Sequence, residues 1–442
     1  MMLRDYQARA VTAARGLLDA GKRTLIVAPT GSGKTVMGVA AIGGATDAIW
    51  ICHRIELVDQ ARAKLPDSVT VETIQTLLAR ADGGRGKLVV LDECHHYAAD
   101  AWGEAIASLH PRAVLGLTAT PERPDGRGLA HLFDHLITAA QYSELIAAGH
   151  LVDCDLLRPS ESLGSDLAQP AHSAWAEHAA GRRGFAFFRS VEECLAFCEV
   201  IPRARTISYR TGADERADTL AAFRAGDLDV LCSVYALTEG VDVPESAVCL
   251  LARGCAHAST YLQMVGRVLR PCAGKTRALL IDLPGVSHGH GAPTEDRVYS
   301  LQHGIKTAKL GALKMCPTCG ATVEAAAQTC EVCGHEFGGG VGRPPPKIWD
   351  VELRKVFAGE LTPVDAKRRE WQRISGMCAE RGFSLSWGVR EYKKLFHAAP
   401  DVTADQERSI VDQLRQHAVD RGYKPGYALA IFKQEFGRWP RR

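Results

Sequence analysis

The chain has 442 residues, 46% of them hydrophobic and 24% charged, with a formal net charge of +2. That size and apolar content suit two or three globular domains, and 7% aromatic residues with 42 Gly and 20 Pro suit a turn-rich α/β protein. The opening MMLRDYQARA is charged early, and no run approaches the ~18 apolar residues of a membrane span, so a soluble intracellular protein without a membrane partner is expected.

From residue 24 to about 120, short continuous apolar runs alternate with helix-like stretches. TLIVA, AIWIC, KLVVLD and AVLGLTAT read as buried parallel strands, with helical segments over 34–42 and 54–64 between them. This rhythm predicts a doubly wound α/β domain over 1–150. It lapses around 158–183, placing a hinge near 150–180. It resumes in GFAFFR, RTISY, LDVLCSV, AVCLLAR and RALLIDL, a second α/β domain over 151–310. Residues 284–310 read as a solvated loop bearing His288, His290 and His303. A cysteine-rich segment over 311–338 precedes the GGGVGRPPPK linker, 339–347, and a tail over 348–442 that reads as all helix. Residues 347–442 hold 19 Lys/Arg against 13 Asp/Glu, a basic end on a slightly acidic body. Within the tail, AERGFSLSWGVREYKKLF at 379–396 matches VDRGYKPGYALAIFKQEF at 419–436, a two-fold repeat of helix end, turn and helix.

APTGSGKT, residues 28–35, follows the first strand and opens a helix, the setting of a phosphate-binding loop. There Thr30, Gly31, Ser32, Gly33, Lys34 and Thr35 would surround a nucleotide's phosphates, with backbone N–H groups and the helix N-terminus favouring negative charge. Lys34 would neutralise the β/γ-phosphates and the Thr35 hydroxyl would hold Mg²⁺. Such a loop needs an acidic partner at the end of a neighbouring strand. VVLDECHHYAAD, residues 89–100, supplies Asp92 for Mg²⁺ and Glu93 to polarise the attacking water. Its five adjacent potential ligands cannot converge on one ion, because successive strand-end side chains point to opposite sides.

These two motifs and their successors resemble superfamily 2 helicases of the DEAD/DEAH type, in a DECH variant, with two tandem RecA-like P-loop domains. LRDYQ resembles the adenine-recognition motif, implying that Gln7 and Arg4 contact the base. CHRIELVDQ and TIQTL resemble motifs Ia and Ib, implying nucleic-acid contacts for His53, Arg54, Thr73 and Gln75. LTATPER resembles motif III, whose Thr118 and Thr120, with His95 and His96 of motif II, would couple hydrolysis to domain movement. FFRSVEE resembles motif IV (Arg189 and Ser190 on nucleic acid). ALTEGVDVPE resembles motif V, with Thr238 on nucleic acid and Gly240 and Asp242 on the nucleotide. QMVGRVLRP resembles motif VI, with Gln263, Arg267 and Arg270 catalytic. The ordered set covers about 1–285.

Cys316, Cys319, Cys330 and Cys333 have C-x₂-C-x₁₀-C-x₂-C spacing, with Gly320 and Gly334 following each pair, which predicts a structural zinc ribbon. A two-domain motor followed by a ribbon and a helical tail is similar to RadD-like helicases of bacteria and their phage-encoded relatives. The resemblance implies a bacterial cytoplasmic or phage-encoded monomer that uses ATP, Mg²⁺ and structural Zn²⁺. It implies an ATP-dependent translocase or helicase acting on DNA in repair, recombination or phage replication, with repair or replication proteins as partners. An RNA helicase, an ATP-clamped loading factor and the motor of a restriction system stay open as alternatives.

Overall fold

The structure, a computed structural model, describes residues 2–43, 47–52, 58, 61–78, 86–97, 100–121, 128–237, 241–297, 299–301, 313–316, 318, 322–324, 330, 335–337, 346–356, 389, 404–420 and 427–436. The chain divides into two compact units, Met1–Val356 and Phe357–Arg442. The first holds two parallel sheets. Sheet one contains β1 (Arg23–Val27), β2 (Ala48–Cys52), β3 (Thr70–Thr73), β4 (Leu88–Leu91), β5 (Ala113–Thr118) and β6 (His135–Thr138), in the order β3-β2-β4-β5-β1-β6. Central β1, β2, β4 and β5 are buried almost throughout, because helices cover both faces of such a sheet. The edge strands β3 and β6 carry polar residues facing solvent, and for that reason continuous apolar runs do not reveal them.

Sheet two contains β7 (Asp153–Arg158), β8 (Gly184–Phe187), β9 (Ala204–Thr206), β10 (Val230–Ser233), β11 (Val248–Leu251) and β12 (Arg277–Asp282). A late strand, β15 (Arg354–Val356), completes the order β15-β7-β12-β11-β8-β10-β9. Mixed α/β architecture with two parallel-sheet domains is therefore as expected, and two local expectations change. Residues 153–158, assigned to the hinge, form a strand. Its two Asp alternate with buried residues, and Asp153 and Asp155 pair with Arg277 at 2.8 and 2.9 Å. The tail is not all helix either. Residues 354–356 run antiparallel to β7, and Lys355 reaches Asp155 at 3.2 Å, so the chain past the Gly/Pro stretch closes the edge of sheet two.

Over 284–297, the described start of the stretch read as a loop, the chain is held by more contacts than its His and Gly content suggests. Asp282, buried at the end of β12, accepts from Val286 N, Ser287 N and Ser287 Oγ, fixing a short helix at Ser287–His290. His290 is buried and stacks on Tyr261 at 5.5 Å, so it is not a solvated loop histidine, whereas His288 stays exposed while its ring bonds the Pro159 carbonyl. His303 lies outside the described residues. The segment then returns to sheet one. Arg297 N donates to Gln141 Oε1 and Gln141 Nε2 to the Arg297 carbonyl, while Tyr299 and Leu301 pack on the domain-one core.

In the second unit, helices Ala404–Asp420 and Tyr427–Phe436 pack together. Phe432 is fully buried and stacks on Phe436 at 4.3 Å. The second repeat copy thus uses these aromatics as core. The first copy lies almost wholly outside the described residues.

Candidate active site

The phosphate loop leaves β1 and enters the helix Lys34–Ile42. Gly31 and Gly33 have φ of +88° and +82°, the left-handed region that glycine adopts without strain. Tyr6 Oη and Gln7 Nε2 both donate to the Ser32 carbonyl, at 2.6 and 2.9 Å, and Gln7 Oε1 accepts from Arg4 N. The N-terminal helix Asp5–Asp19 therefore props the loop from behind, with Gln7 fixed against it. Arg4 is exposed at the head of that helix. The hydroxyls of Thr30 and Ser32 are buried without a hydrogen-bond partner among the described residues. Unsatisfied donors of this kind suit phosphate oxygens.

β4 ends at Leu91, and Asp92 and Glu93 lie in the turn beyond it. Glu93 has φ of +45°, a left-handed conformation costing about 1–3 kcal/mol for a residue other than glycine, and such strain gathers at functional sites. The twist turns its carboxylate toward the phosphate loop. Oε1 lies 3.6 Å from the Lys34 ammonium, and Oε2 is buried, lacks a hydrogen bond among the described residues and lies 3.6 Å from His95 Nδ1. Asp92 and Thr35 are half-buried on either side. Cys94 points into the core, where burial, with Glu93 and Asp92, pushes its thiol well above the usual range. It is therefore protonated packing, not a metal ligand.

A polar chain runs from this carboxylate into domain two. The Thr118 hydroxyl donates to the Thr120 carbonyl at 2.9 Å and accepts from Thr120 N at 3.1 Å. With its one proton committed, Thr118 Oγ1 must accept from His95 Nδ1 at 2.9 Å, which fixes neutral His95 as the Nδ1–H tautomer. His95 Nε2 is then an acceptor, and Gln263 Nε2 of motif VI lies 3.4 Å away. His96 is exposed, its ring 4.2 Å from that of His95.

Motif VI closes on the phosphate loop. A Cβ on Gly266 would lie 2.5 Å from Thr30 Cβ, and one on Gly31 would lie 3.5 Å from Arg270 Cγ. The Arg270 guanidinium contacts the Asp242 carboxylate. Arg267 is buried and donates to the Val241 carbonyl at 2.8 Å. So Arg270 stands beside the phosphates' expected position, while Arg267 braces motif V.

Residues expected on nucleic acid are only partly described. Thr73 Oγ1 accepts from Thr76 N at 3.3 Å and opens the helix Ile74–Leu78. Ser190 caps the helix Val191–Val200 by accepting from Glu193 N, and Arg189 pairs with Glu193, so both take structural roles in the motif IV turn. His53, Arg54, Thr238, Gly240, Cys319 and Cys333 lie outside the described residues, as does the Gln75 side chain.

Several residues that hold the site together escape sequence reasoning. Tyr6 and Gly266 sit inside quoted motifs, yet only their contacts show what they do. Arg253 follows β11, buried, donating to the Val234 carbonyl and lying 4.1 Å over the Tyr235 ring, with no motif to mark it.

Comparison with known proteins agrees with this arrangement. The family described as "Type III restriction enzyme, res subunit" matches residues 1–69 and 65–123, and "Helicase conserved C-terminal domain" matches 170–272. The "51.5 kDa protein" of a Lactococcus phage is 27% identical over 71% of this chain and 78% of its own. The "DNA 3'-5' translocase XPB2" of Sulfurisphaera tokodaii is 26% identical over 64% of this chain and 81% of its own. Other curated relatives are matched over about half their length. The fold is shared with a Type ISP restriction-modification enzyme, LlaBIII, at a TM-score of 0.51 and 15% identity, over 64% of this chain and 28% of that one. The class these matches define is a two-domain, ATP-hydrolysing helicase. The chain belongs to the superfamily 2 helicases.

Proposed function

We propose that this protein is an ATP-driven motor that moves along DNA and separates or remodels its strands. The observation that carries the reading is the chain Gln263–His95–Thr118–Thr120, which joins the surroundings of Glu93 to domain two. Glu93, beside Lys34, would orient and deprotonate the attacking water, and Arg270 would meet charge on the transferred phosphoryl group when the domains close. Thr35 and Asp92 would hold Mg²⁺, which when bound neutralises phosphate charge. Hydrolysis and domain closure would then depend on each other, so each turnover could shift a bound strand by a step. DNA is favoured over RNA because the Sulfurisphaera tokodaii relative is named a DNA translocase, and a bacterial or phage setting because a phage protein is among the relatives.

Two of the four cysteines are described: Cys316 directly follows β13 (Leu313–Met315), which pairs with β14 (Thr322–Glu324), and both Cys316 and Cys330 are buried. Cys330 N donates to the His335 carbonyl at 2.6 Å. With Cys319 and Cys333 these thiolates would hold a structural ion that staples a segment too short for its own core.

The test is ATPase turnover with single-stranded, duplex and branched DNA and with RNA, side by side, using wild type and Glu93→Gln. DNA stimulation in wild type, with a loss of at least ~10²-fold in Glu93→Gln, is expected. Stimulation by RNA alone would move the substrate to RNA. Strand separation undiminished in Glu93→Gln would favour the clamp reading.

A further inference from the structure

We infer that Lys275 is the positioning residue that sets Arg270 against the phosphate loop. The inference rests on the reading of Arg270 as the trans-acting arginine. Lys275 stands in the turn between motif VI and β12, held by its own N–H to the Cys272 carbonyl and by Gly274 at φ +77°. Its half-buried ammonium has three protons and donates to three backbone carbonyls: Pro244 at 2.9 Å, Ser246 at 2.7 Å and Arg270 at 2.7 Å.

The first of those carbonyls lies at the end of motif V, the second just beyond it, and the third is that of Arg270 itself. Asp242, from the same stretch as Pro244, takes the Arg270 guanidinium, and Arg267 donates to the Val241 carbonyl. Arg270 is therefore held at both ends. Asp242 holds its head, and Lys275 ties its backbone to residues 244 and 246. A tetrahedral ammonium satisfies three carbonyls, whereas an amine has two N–H groups and turns a lone pair toward the third. Loss of the proton must therefore release one strut of the cradle.

Burial pushes the Lys275 ammonium down to about 8, and Arg270 adds to this, while Cys272, Cys154 and Glu245 act in the opposite direction. The cradle is complete below that pH and loosens as pH rises through it. Because Arg270 acts on the transferred group, loosening should lower kcat and leave nucleotide binding to the domain-one loop intact.

The experiment measures steady-state ATPase of the full chain without nucleic acid, from pH 6.5 to 9.5, for wild type, Lys275→Met and Lys275→Arg. ADP affinity and thermal melting are recorded alongside. Wild-type kcat is expected to fall with an alkaline limb near pH 8. Lys275→Met should lose about 10-fold or more in kcat at pH 7 with little change in KM, because charge-assisted hydrogen bonds are lost. Lys275→Arg stays charged, so it should recover part of kcat and shed the limb. A wild-type limb that persists unchanged in Lys275→Arg would overturn the inference, and that comparison stands even if Lys275→Met fails to fold. A kcat in Lys275→Met equal to wild type would also overturn it. Because the readout is basal turnover, a motor that fails to respond to any nucleic acid would sink the proposed function separately. An Arg270→Gln variant with wild-type kcat would remove the premise and identify that failure as distinct.

Discussion

His95 and Gln263 stand 168 positions apart in sequence and meet at 3.4 Å, an imidazole of domain one facing an amide of domain two. With His95 neutral, one assignment of protons satisfies the contact. Thr118 takes the Nδ1 proton, so Nε2 is left to accept from the amide. This contact joins the turn that carries Glu93 to the helix that ends at Gly266.

The pair should therefore behave as one unit. His95→Ala and Gln263→Ala should each reduce DNA-stimulated turnover by about 10-fold, and the double variant should lose little more, the non-additivity expected of residues in one network. Nucleotide affinity should be unaffected. Losses that multiply in the double-mutant cycle would show that the two residues act separately.

Gly266 is required by space, not by backbone conformation. Its Cβ would land 2.5 Å from Thr30 Cβ and 2.7 Å from Thr30 Cγ2. Gly266→Ala should push motif VI off the phosphate loop. A shift of that scale can lower kcat by about 10²-fold while ATP still binds domain one. Stopped-flow binding of a fluorescent ATP analogue beside steady-state turnover will check the split. Equal kcat in wild type and variant would mean the close approach is not used in catalysis.

His290 gives the fold an acid sensitivity with a defined sign. A carbonyl can only accept, so Nε2 donates to Cys255 O at 2.8 Å, and the buried Nδ1 has no hydrogen-bond partner among the described residues. Burial, with Arg297 and His257 nearby, pushes the imidazole down to about 4, whereas the Cys255 contact favours the charged form. The unfolded chain then binds the proton that the folded chain refuses. The stabilisation is present above pH 6.5 and is lost as pH falls through about 4, up to about 3 kcal/mol. His290→Phe keeps the ring on Tyr261 and removes the titration. Its melting temperature should fall less than that of wild type between pH 7 and pH 4. A parallel fall in both proteins would place the acid sensitivity elsewhere.

Zinc should be present at about one ion per chain in freshly purified protein, by elemental analysis. Cys330→Ser should lower that content and make 313–337 sensitive to protease, while basal ATPase of the first two domains persists. A full complement of metal in Cys330→Ser would exclude this thiol as a ligand.

Both parallel sheets are legible because a strand buried on two faces must be apolar throughout, as Ala48–Cys52 and Val248–Leu251 are. Strands whose outward residues answer charges elsewhere are not legible in this way. β7 alternates Asp with apolar residues, and β15 is a short basic stretch that makes sense only opposite Asp155. His290 reads as a loop residue because nothing beside it in sequence predicts Tyr261 beneath its ring.

The sequence by itself determined the phosphate loop, the acidic pair after β4 and the order of the helicase motifs. In each of these the chemistry is carried by residues adjacent in the chain, and turn geometry follows from the residues themselves. Tertiary structure decided which groups meet. It placed Gln263 on His95, Gly266 on Thr30, and Lys275 beneath Arg270. It also gave Arg267 and Arg270 different surroundings, although both stand in one short motif. The first two contacts depend on how two sheets approach each other, a distance no local spacing encodes, and the others on how the motif VI turn packs against motif V within domain two.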